Sequence, residues 1–148
     1  MIIDEADHRR LVLIVEDEPS IRATLKKTFN ALDFEVVVAI DYKAAMEQIN
    51  KRPPCLVCLD LNLPRDSGYD VCEFIRKDPL LDWVQILIIS DRKSPEDMAH
   101  AEDAGANAYL KKPFTNELLV KYVRTLLGGN ESRPSVRALR RTDPPPRV

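Results

Sequence analysis

The sequence predicts a single three-layer α/β sandwich with a parallel sheet at its centre. Apolar runs rich in β-branched residues alternate with segments of helical spacing, and this pair of features occurs five times. The runs are continuous, with no polar residue at every second position, which is typical of strands covered on both faces. Right-handed helical crossovers between parallel strands place helices on both sides of such a sheet.

Five segments are the predicted strands. The strong candidates are Leu11 to Val15, Cys55 to Leu59 and Val84 to Ile89, and the weaker ones are Phe34 to Ala39 and Ala106 to Leu110.

Apolar stripes at helical spacing follow these strands. They run from Ile21 to Leu32, Ala45 to Ile49, Val71 to Ile75, Met98 to Ala101 and Leu119 to Leu126. Ser94 before Pro95 and Thr115 are residue types that cap helix N-termini, and Gly128 is typical of a helix stop. We therefore expect five βα units that end near residue 128.

Composition restricts the class of protein. The chain has 148 residues, 45% hydrophobic and 31% charged, which excludes a wholly disordered chain. Its net charge of −2 argues against a strongly basic nucleic-acid binder, and no apolar run approaches the ~18 residues of a membrane span. We expect a cytoplasmic protein with reduced thiols, because three cysteines is an odd count and the acidic N-terminus is not a signal peptide.

The charge distribution divides the chain. Residues 129–148 hold five arginines against two acidic residues, a charge of +3, and four of the 11 prolines. We interpret 1–9 as an N-terminal leader, 10–128 as the folded domain and 129–148 as a flexible, basic, proline-rich tail. Cys55 and Cys58 form a C-x-x-C pattern, but positions three apart on one strand face opposite sides of a sheet, so we expect buried structural thiols.

Polar side chains follow four of the predicted strands. Glu16 and Asp17 come after the first, Asp60 after the third, Ser90 after the fourth, and Lys111-Lys112-Pro113 after the fifth. Parallel strands have their carboxyl ends at one edge of the sheet, which is where ligands bind in open α/β folds. We therefore expect three carboxylates, a hydroxyl and a lysine to converge there.

This group of side chains suits phosphoryl transfer to an aspartate. Three clustered carboxylates repel one another unless they share a cation, and oxygen ligands suit Mg²⁺. Asp60, the central carboxylate, could attack phosphorus as a nucleophile. A lysine and the Ser90 hydroxyl could bind the other phosphoryl oxygens.

Four motifs in 10–128 occur in order. They are Val15-Glu16-Asp17-Glu18-Pro19, Asp60-Leu61-Asn62-Leu63-Pro64 with Gly68, Ile88-Ile89-Ser90, and Ala104 to Phe114 with Lys112-Pro113. This set resembles the receiver domain of bacterial two-component response regulators. The resemblance implies a flavodoxin-like (βα)5 fold with sheet order 2-1-3-4-5.

The same resemblance implies a metal and phosphoacceptor site. Asp60 would take a phosphoryl group from a histidine kinase or a histidine phosphotransfer protein. Asp17, Asp60 and the backbone carbonyl of Asn62 would ligate Mg²⁺, with Glu16 acting through water. Lys112 would contact the phosphoryl group, and its peptide bond to Pro113 would be cis.

The resemblance also implies a switch. Ser90 would move to the phosphoryl oxygen while the Tyr109 ring turns inward. A downstream protein would then bind the face formed by the last two helices and the fifth strand. We expect a phosphorylation-controlled module that is not an enzyme, although it assists its own phosphotransfer and autodephosphorylation. We expect no membrane partner and no nucleic-acid contact by this chain itself.

Several alternatives stay open at this point. A haloacid-dehalogenase-like phosphatase would carry a second aspartate two residues after its nucleophile, where this chain has Asn62. The chain could be a domain excised from a larger regulator or hybrid kinase, or a degenerate module that works without phosphate. Asp91, an unusual neighbour of Ser90, either faces the mouth of the site or points away to cap the next turn.

Overall fold

The computed structural model describes residues 10–128, and the predicted leader 1–9 and tail 129–148 lie outside the described residues. Strands and helices alternate along this part of the chain, with one short 3-10 helix at Pro79–Leu81. The elements are β1 Leu11–Val15, α1 Pro19–Ala31, β2 Glu35–Ala39, α2 Tyr42–Lys51, β3 Leu56–Leu59, α3 Gly68–Lys77, β4 Gln85–Ser90, α4 Pro95–Asp103, β5 Ala108–Lys111 and α5 Asn116–Leu127.

All strand pairs in the sheet are parallel, and the strand order is 2-1-3-4-5. This confirms the predicted flavodoxin-like fold. The chain reverses its winding direction at β1, so β1 and β3 are neighbours. In such sheets the crevice at this reversal is the usual ligand site, because the loops after the two strands diverge there.

The core consists of two apolar layers, one on each face of the sheet. Alternate residues of a strand point to opposite faces, so Leu13 packs in one layer and Ile14 in the other. Helices α2, α3 and α4 cover the first face, and α1 and α5 cover the second. The continuous apolar runs therefore have the predicted cause: β1, β3 and β4 are buried throughout.

The predicted helix ends are confirmed. Ser94 accepts a hydrogen bond from the backbone N–H of Asp97, and Thr115 accepts one from that of Leu118. Gly128 ends α5 with a φ of 73°, a left-handed conformation that glycine adopts without steric cost. None of the described helices is long and apolar enough to cross a membrane.

Strand β5 begins two residues later than the apolar pattern suggests. Asn107 precedes it, and its side-chain oxygen accepts hydrogen bonds from the backbone N–H of Ile86 and from the guanidinium of Arg76. The Asn107 side chain thus accepts the hydrogen bond of a β4 backbone N–H that a backbone carbonyl of β5 would otherwise accept.

The prediction that Cys55 and Cys58 face opposite sides of the sheet is wrong. Both thiols pack in the same apolar layer, against α1 and α5. Cys55 precedes β3, whose first residue is Leu56, so the alternation of a strand does not apply to it. The rest of the interpretation is confirmed, because all three cysteines are buried and form no disulfide.

Candidate functional site

Three carboxylates meet at the carboxyl ends of β1 and β3, as predicted. One oxygen from each of Glu16, Asp17 and Asp60 lies within 4.8 Å of the others. The backbone fixes two of them, since the N–H of Glu16 donates to the carbonyl of Ala39 and that of Asp60 donates to Val15. Glu16 and Asp60 are buried, whereas Asp17 is exposed. Solvent therefore reaches the group at Asp17.

Lys112 lies above the two buried carboxylates. Its Nζ is 3.2 Å from Oε1 of Glu16 and 3.4 Å from Oδ2 of Asp60. Burial acts to lower the pKa of Lys112, but the charges of Asp60 and Glu16 outweigh it and raise the pKa. The lysine is thus held as a cation at the site. The peptide bond that follows it, to Pro113, is cis as predicted.

Glu16 has a strongly perturbed carboxyl group. Burial, and then the nearby charge of Asp60, raise its pKa to about 7. Its Oε2 accepts a hydrogen bond from the backbone N–H of Glu18 at 3.2 Å, which acts in the opposite direction. Full ionisation of the cluster therefore needs more positive charge than Lys112 provides. Three clustered oxygen ligands, two of them buried, fit a hard divalent metal ion.

The segment after Asp60 folds back tightly. The backbone N–H of Asn62 donates to Oδ1 of Asp60 at 3.1 Å, so it orients the carboxylate. Gly68 begins α3 against this turn, and a Cβ atom there would lie 2.4 Å from the backbone oxygen of Asp60. Only glycine permits this approach, because real Cβ atoms do not come so close to a main-chain oxygen.

Ser90 ends β4 at this edge, and Tyr109 lies on the neighbouring strand β5, opposite Ile88. Ser90 is fully buried, and Tyr109 is 6% exposed, so its ring already lies inside the protein. The Tyr109 hydroxyl donates to the backbone carbonyl of Arg92 at 2.9 Å. Burial raises the pKa of Tyr109, and a hydrogen bond with Ser90 partly offsets this effect. The inward turn of the ring stays a prediction.

The structure thus brings six of the seven predicted site residues to one edge of the sheet, namely Glu16, Asp17, Asp60, Asn62, Ser90 and Lys112. Tyr109 lies two residues before the end of β5. Sequence reasoning missed Arg92, whose guanidinium donates to the side-chain oxygen of Asn62. The signal in the sequence was the charged run Asp91-Arg92-Lys93, which directly follows a buried strand. Where each of these side chains points depends on tertiary contacts, which the sequence does not show. Lys111 contacts none of the three carboxylates by a described hydrogen bond or ion pair.

Comparison with known proteins shows the family and the fold of this chain. The family model of the response regulator receiver domain matches residues 12–124. The chain is 33% identical over 127 residues to the DNA-binding response regulator MtrA of Mycolicibacterium smegmatis, covering 86% of this chain and 54% of that protein. It is 30% identical over 118 residues to the phosphate regulon transcriptional regulatory protein PhoB of Escherichia coli, covering 80% of this chain and 52% of that protein.

A solved structure shows the same architecture. The chemotaxis protein CheY4 of Vibrio cholerae superposes with a TM-score of 0.73 at 29% identity, covering 77% of this chain and 95% of that one. The chain belongs to the response regulator receiver domain family, a class of signalling switches. It spans about half the length of the curated relatives it matches.

Proposed function

We propose that Asp60 accepts a phosphoryl group from a phosphohistidine, carried by a histidine kinase or a histidine phosphotransfer protein. The observation that carries this proposal is the shared cation: Lys112 lies 3.2 to 3.4 Å from both buried carboxylates at the reversal point of the sheet. A lysine there can follow the negative charge from the carboxylate to an incoming phosphoryl oxygen.

The metal is proposed to be Mg²⁺. Asp17, Asp60 and the backbone carbonyl of Asn62 would hold it directly, and Glu16 would act through water. When bound, Mg²⁺ neutralises phosphoryl oxygens, which reduces their repulsion of the attacking carboxylate. The nearness of the three side-chain oxygens supports this ligand set.

During the proposed transfer, negative charge passes from the Asp60 carboxylate to the phosphoryl group, and both positions lie within reach of Lys112. An oxygen of the Asp60 carboxylate forms the new P–O bond while the P–N bond to the donor imidazole breaks. The electron pair of the broken bond returns to the imidazole nitrogen. Asn62 N–H orients the carboxylate through Oδ1, and the lysine ammonium faces Oδ2.

We propose that phosphorylation changes the protein surface through Ser90 and Tyr109. The Ser90 hydroxyl would bind a phosphoryl oxygen, and Tyr109 would respond because the main chain of Arg92 is hydrogen-bonded to both hydroxyl groups. The altered surface would be the face formed by α4, β5 and α5. An unidentified downstream protein would bind there, so the chain would act as a switch whose only chemistry is its own phosphotransfer and autodephosphorylation.

The setting of this chain is also proposed. Buried, reduced thiols suit the cytoplasm, where disulfides are rare. MtrA is a DNA-binding regulator, but the match covers about half of it, and residues 1–128 here carry a charge of −5 (−2 minus the +3 of 129–148). We propose that this chain itself does not contact DNA, because a negative surface repels the phosphate backbone.

The test is phosphorylation by acetyl phosphate, a small donor that needs no cognate kinase. Intact-mass spectrometry should show one phosphate adduct with Mg²⁺ and none with a chelator present. Asp60→Asn should abolish the adduct. Asp66→Asn is the matched control, because Asp66 is an exposed aspartate in the same loop, and it should leave the adduct unchanged. An adduct that persists in Asp60→Asn refutes the acceptor, and none in the wild type favours a phosphate-independent module.

A further inference from the structure

Arg92 lies in the loop between β4 and α4, and its side chain contacts two other parts of the site. Its Nε and one Nη donate to the side-chain oxygen of Asn62 at 3.1 and 2.6 Å. The other Nη is 3.5 Å from Oδ1 of Asp97, in the first turn of α4. The guanidinium therefore bridges the loop after β3 to the start of α4.

The main chain of Arg92 contacts both members of the proposed switch pair. Its N–H donates to the hydroxyl of Ser90 at 3.1 Å, and its carbonyl accepts the hydrogen bond from the Tyr109 hydroxyl at 2.9 Å. The position of the Tyr109 ring therefore depends on where this loop carbonyl lies.

We propose that Arg92 is a positioning residue: its side chain clasps the loop after Asp60 to α4 and thereby holds Tyr109 in the buried orientation. This inference deepens the proposed function, since it rests on Ser90 and Tyr109 being the switch pair. The buried orientation of Tyr109 would then depend on the contacts of Arg92 with both the acceptor loop and α4.

Both ends of the bridge are themselves held. Asp97 accepts a hydrogen bond from the Ser94 hydroxyl at 2.8 Å, and Tyr69 of α3 donates to its backbone carbonyl at 3.2 Å. At the other end, the Asn62 amide donates to the Asp91 carboxylate at 3.3 Å. Asn62 is also held to the acceptor itself by its backbone N–H, which donates to Oδ1 of Asp60. The loop between β4 and α4 has no regular secondary structure of its own, so these contacts are what positions it.

The fork of the guanidinium is the essential feature. The Arg92 and Asp97 side chains are 38% and 27% exposed, and an ion pair so accessible to water contributes little by charge alone. Two parallel donors on one Asn62 oxygen fix direction as well as distance, which a lysine ammonium cannot reproduce. Arg92→Lys should therefore fail to replace arginine although it keeps the charge.

The test measures solvent access to the Tyr109 ring in protein that has met no phosphoryl donor. The ring signals of labelled tyrosines are followed by NMR while a soluble paramagnetic chelate is added. Arg92→Ala removes the three partly exposed contacts of the guanidinium, two to Asn62 and one to Asp97, and should lower the buried-to-exposed ratio of Tyr109 about five- to tenfold. Tyr122, which is 1% exposed in the core, is the internal reference and should not change.

Two further variants make the result specific. Arg92→Lys should expose Tyr109 in the same direction. Lys93→Ala is the matched control, because Lys93 is the exposed neighbouring cation and has no hydrogen bond or ion pair with another described residue. It should leave Tyr109 buried.

The proposal is overturned if Tyr109 stays as buried in Arg92→Ala or Arg92→Lys as in the wild type, or if Lys93→Ala exposes it equally. A parallel intact-mass measurement with acetyl phosphate separates the two proposals. A wild type that takes up no phosphate would refute the acceptor role of Asp60, while the ring measurement would still decide the role of Arg92.

Discussion

The side-chain amide of Asn62 donates a hydrogen bond to the carboxylate of Asp91 at 3.3 Å. This contact favours the first of the two sequence-based interpretations of Asp91, that its side chain faces the mouth of the site. The cap of α4 is Ser94, so Asp91 is not needed there. A negative charge thus lies at the entrance, and the Arg92 guanidinium on the same Asn62 side chain offsets part of it.

Asp91→Ala should speed phosphorylation of Asp60 by small anionic donors. The Asp91 carboxylate repels an anionic donor: two unit charges ~6 Å apart interact by roughly 3 kcal/mol at an effective dielectric constant of ~20. Solvent and the Arg92 guanidinium screen most of this repulsion. About 1 kcal/mol remains, which corresponds to about a fivefold gain in rate. Stopped-flow rates with acetyl phosphate should show the gain at low salt and a smaller one at high salt. Asp82→Ala, at the far end of the sheet, should change nothing, and equal rates for wild type and Asp91→Ala at low salt would contradict the prediction.

Metal affinity should depend more on Asp17 than on Glu16. Removing a residue that acts on the ion through water typically lowers metal affinity about 10- to 100-fold. Removing a direct ligand should lower the affinity more. Titration calorimetry with Mg²⁺ should therefore give a weaker affinity for Asp17→Ala than for Glu16→Ala. The neighbouring Glu18→Ala is the control and should bind like the wild type. The reverse order for the first two variants would overturn the ligand assignment.

Stability of the metal-free protein should fall as pH rises from about 4.5 to 7. The pKa of Glu16 is raised to about 7 in the folded protein, so the folded state binds this proton more tightly than the unfolded state. This proton therefore contributes to the free energy of unfolding. The contribution is complete below the pKa of Glu16 in the unfolded chain, and it is lost as pH rises through the pKa in the folded protein. A shift of this size corresponds to at most about 3 kcal/mol.

The measurement is the free energy of unfolding in guanidinium chloride with a chelator, at pH 4.5 and at pH 7.5. Glu16→Gln is the matched variant, because it keeps the shape of the side chain but cannot titrate. The decrease between the two pH values should be smaller in this variant. An identical decrease in both proteins would show that Glu16 is not its source.

Cysteine reactivity should be negligible in the folded protein. Burial raises the pKa of Cys72 to about 12 and raises that of Cys58 further above its usual value. Since the thiolate is the nucleophile, a disulfide reagent at pH 8 should label none of the thiols before unfolding. In guanidinium chloride the same reagent should titrate all three cysteines of the chain. Rapid labelling of one thiol in native buffer would show that a layer of the core opens.

The fold could be predicted from sequence because its signals are local. Leu11 to Val15 forms β1 as predicted, since five successive apolar residues need cover on both faces. The acidic cluster could be predicted as well, because parallel topology alone brings the residues after β1 and β3 together.

Side-chain bridges between distant segments could not be predicted in this way. Arg76 donates to the carbonyls of Gly105, Leu81 and Val84, and nothing in the neighbouring sequence of α3 indicates these partners. The position of the Cys55 side chain could not be predicted either. The face of the sheet on which it lies depends on where β3 starts, and that start depends on pairing with neighbouring strands.

Gly68 lies so close to the backbone oxygen of Asp60 that not even a Cβ atom fits between the acceptor and the first turn of α3. We therefore expect a displacement of the Asp60 main chain toward α3 to be resisted by that turn. The opposite wall of the crevice is joined less tightly, because the main chain of Arg92 is hydrogen-bonded to the side-chain hydroxyls of Ser90 and Tyr109. We therefore expect a phosphoryl group between the two walls to displace the Ser90 side of the crevice more readily than the Gly68 side.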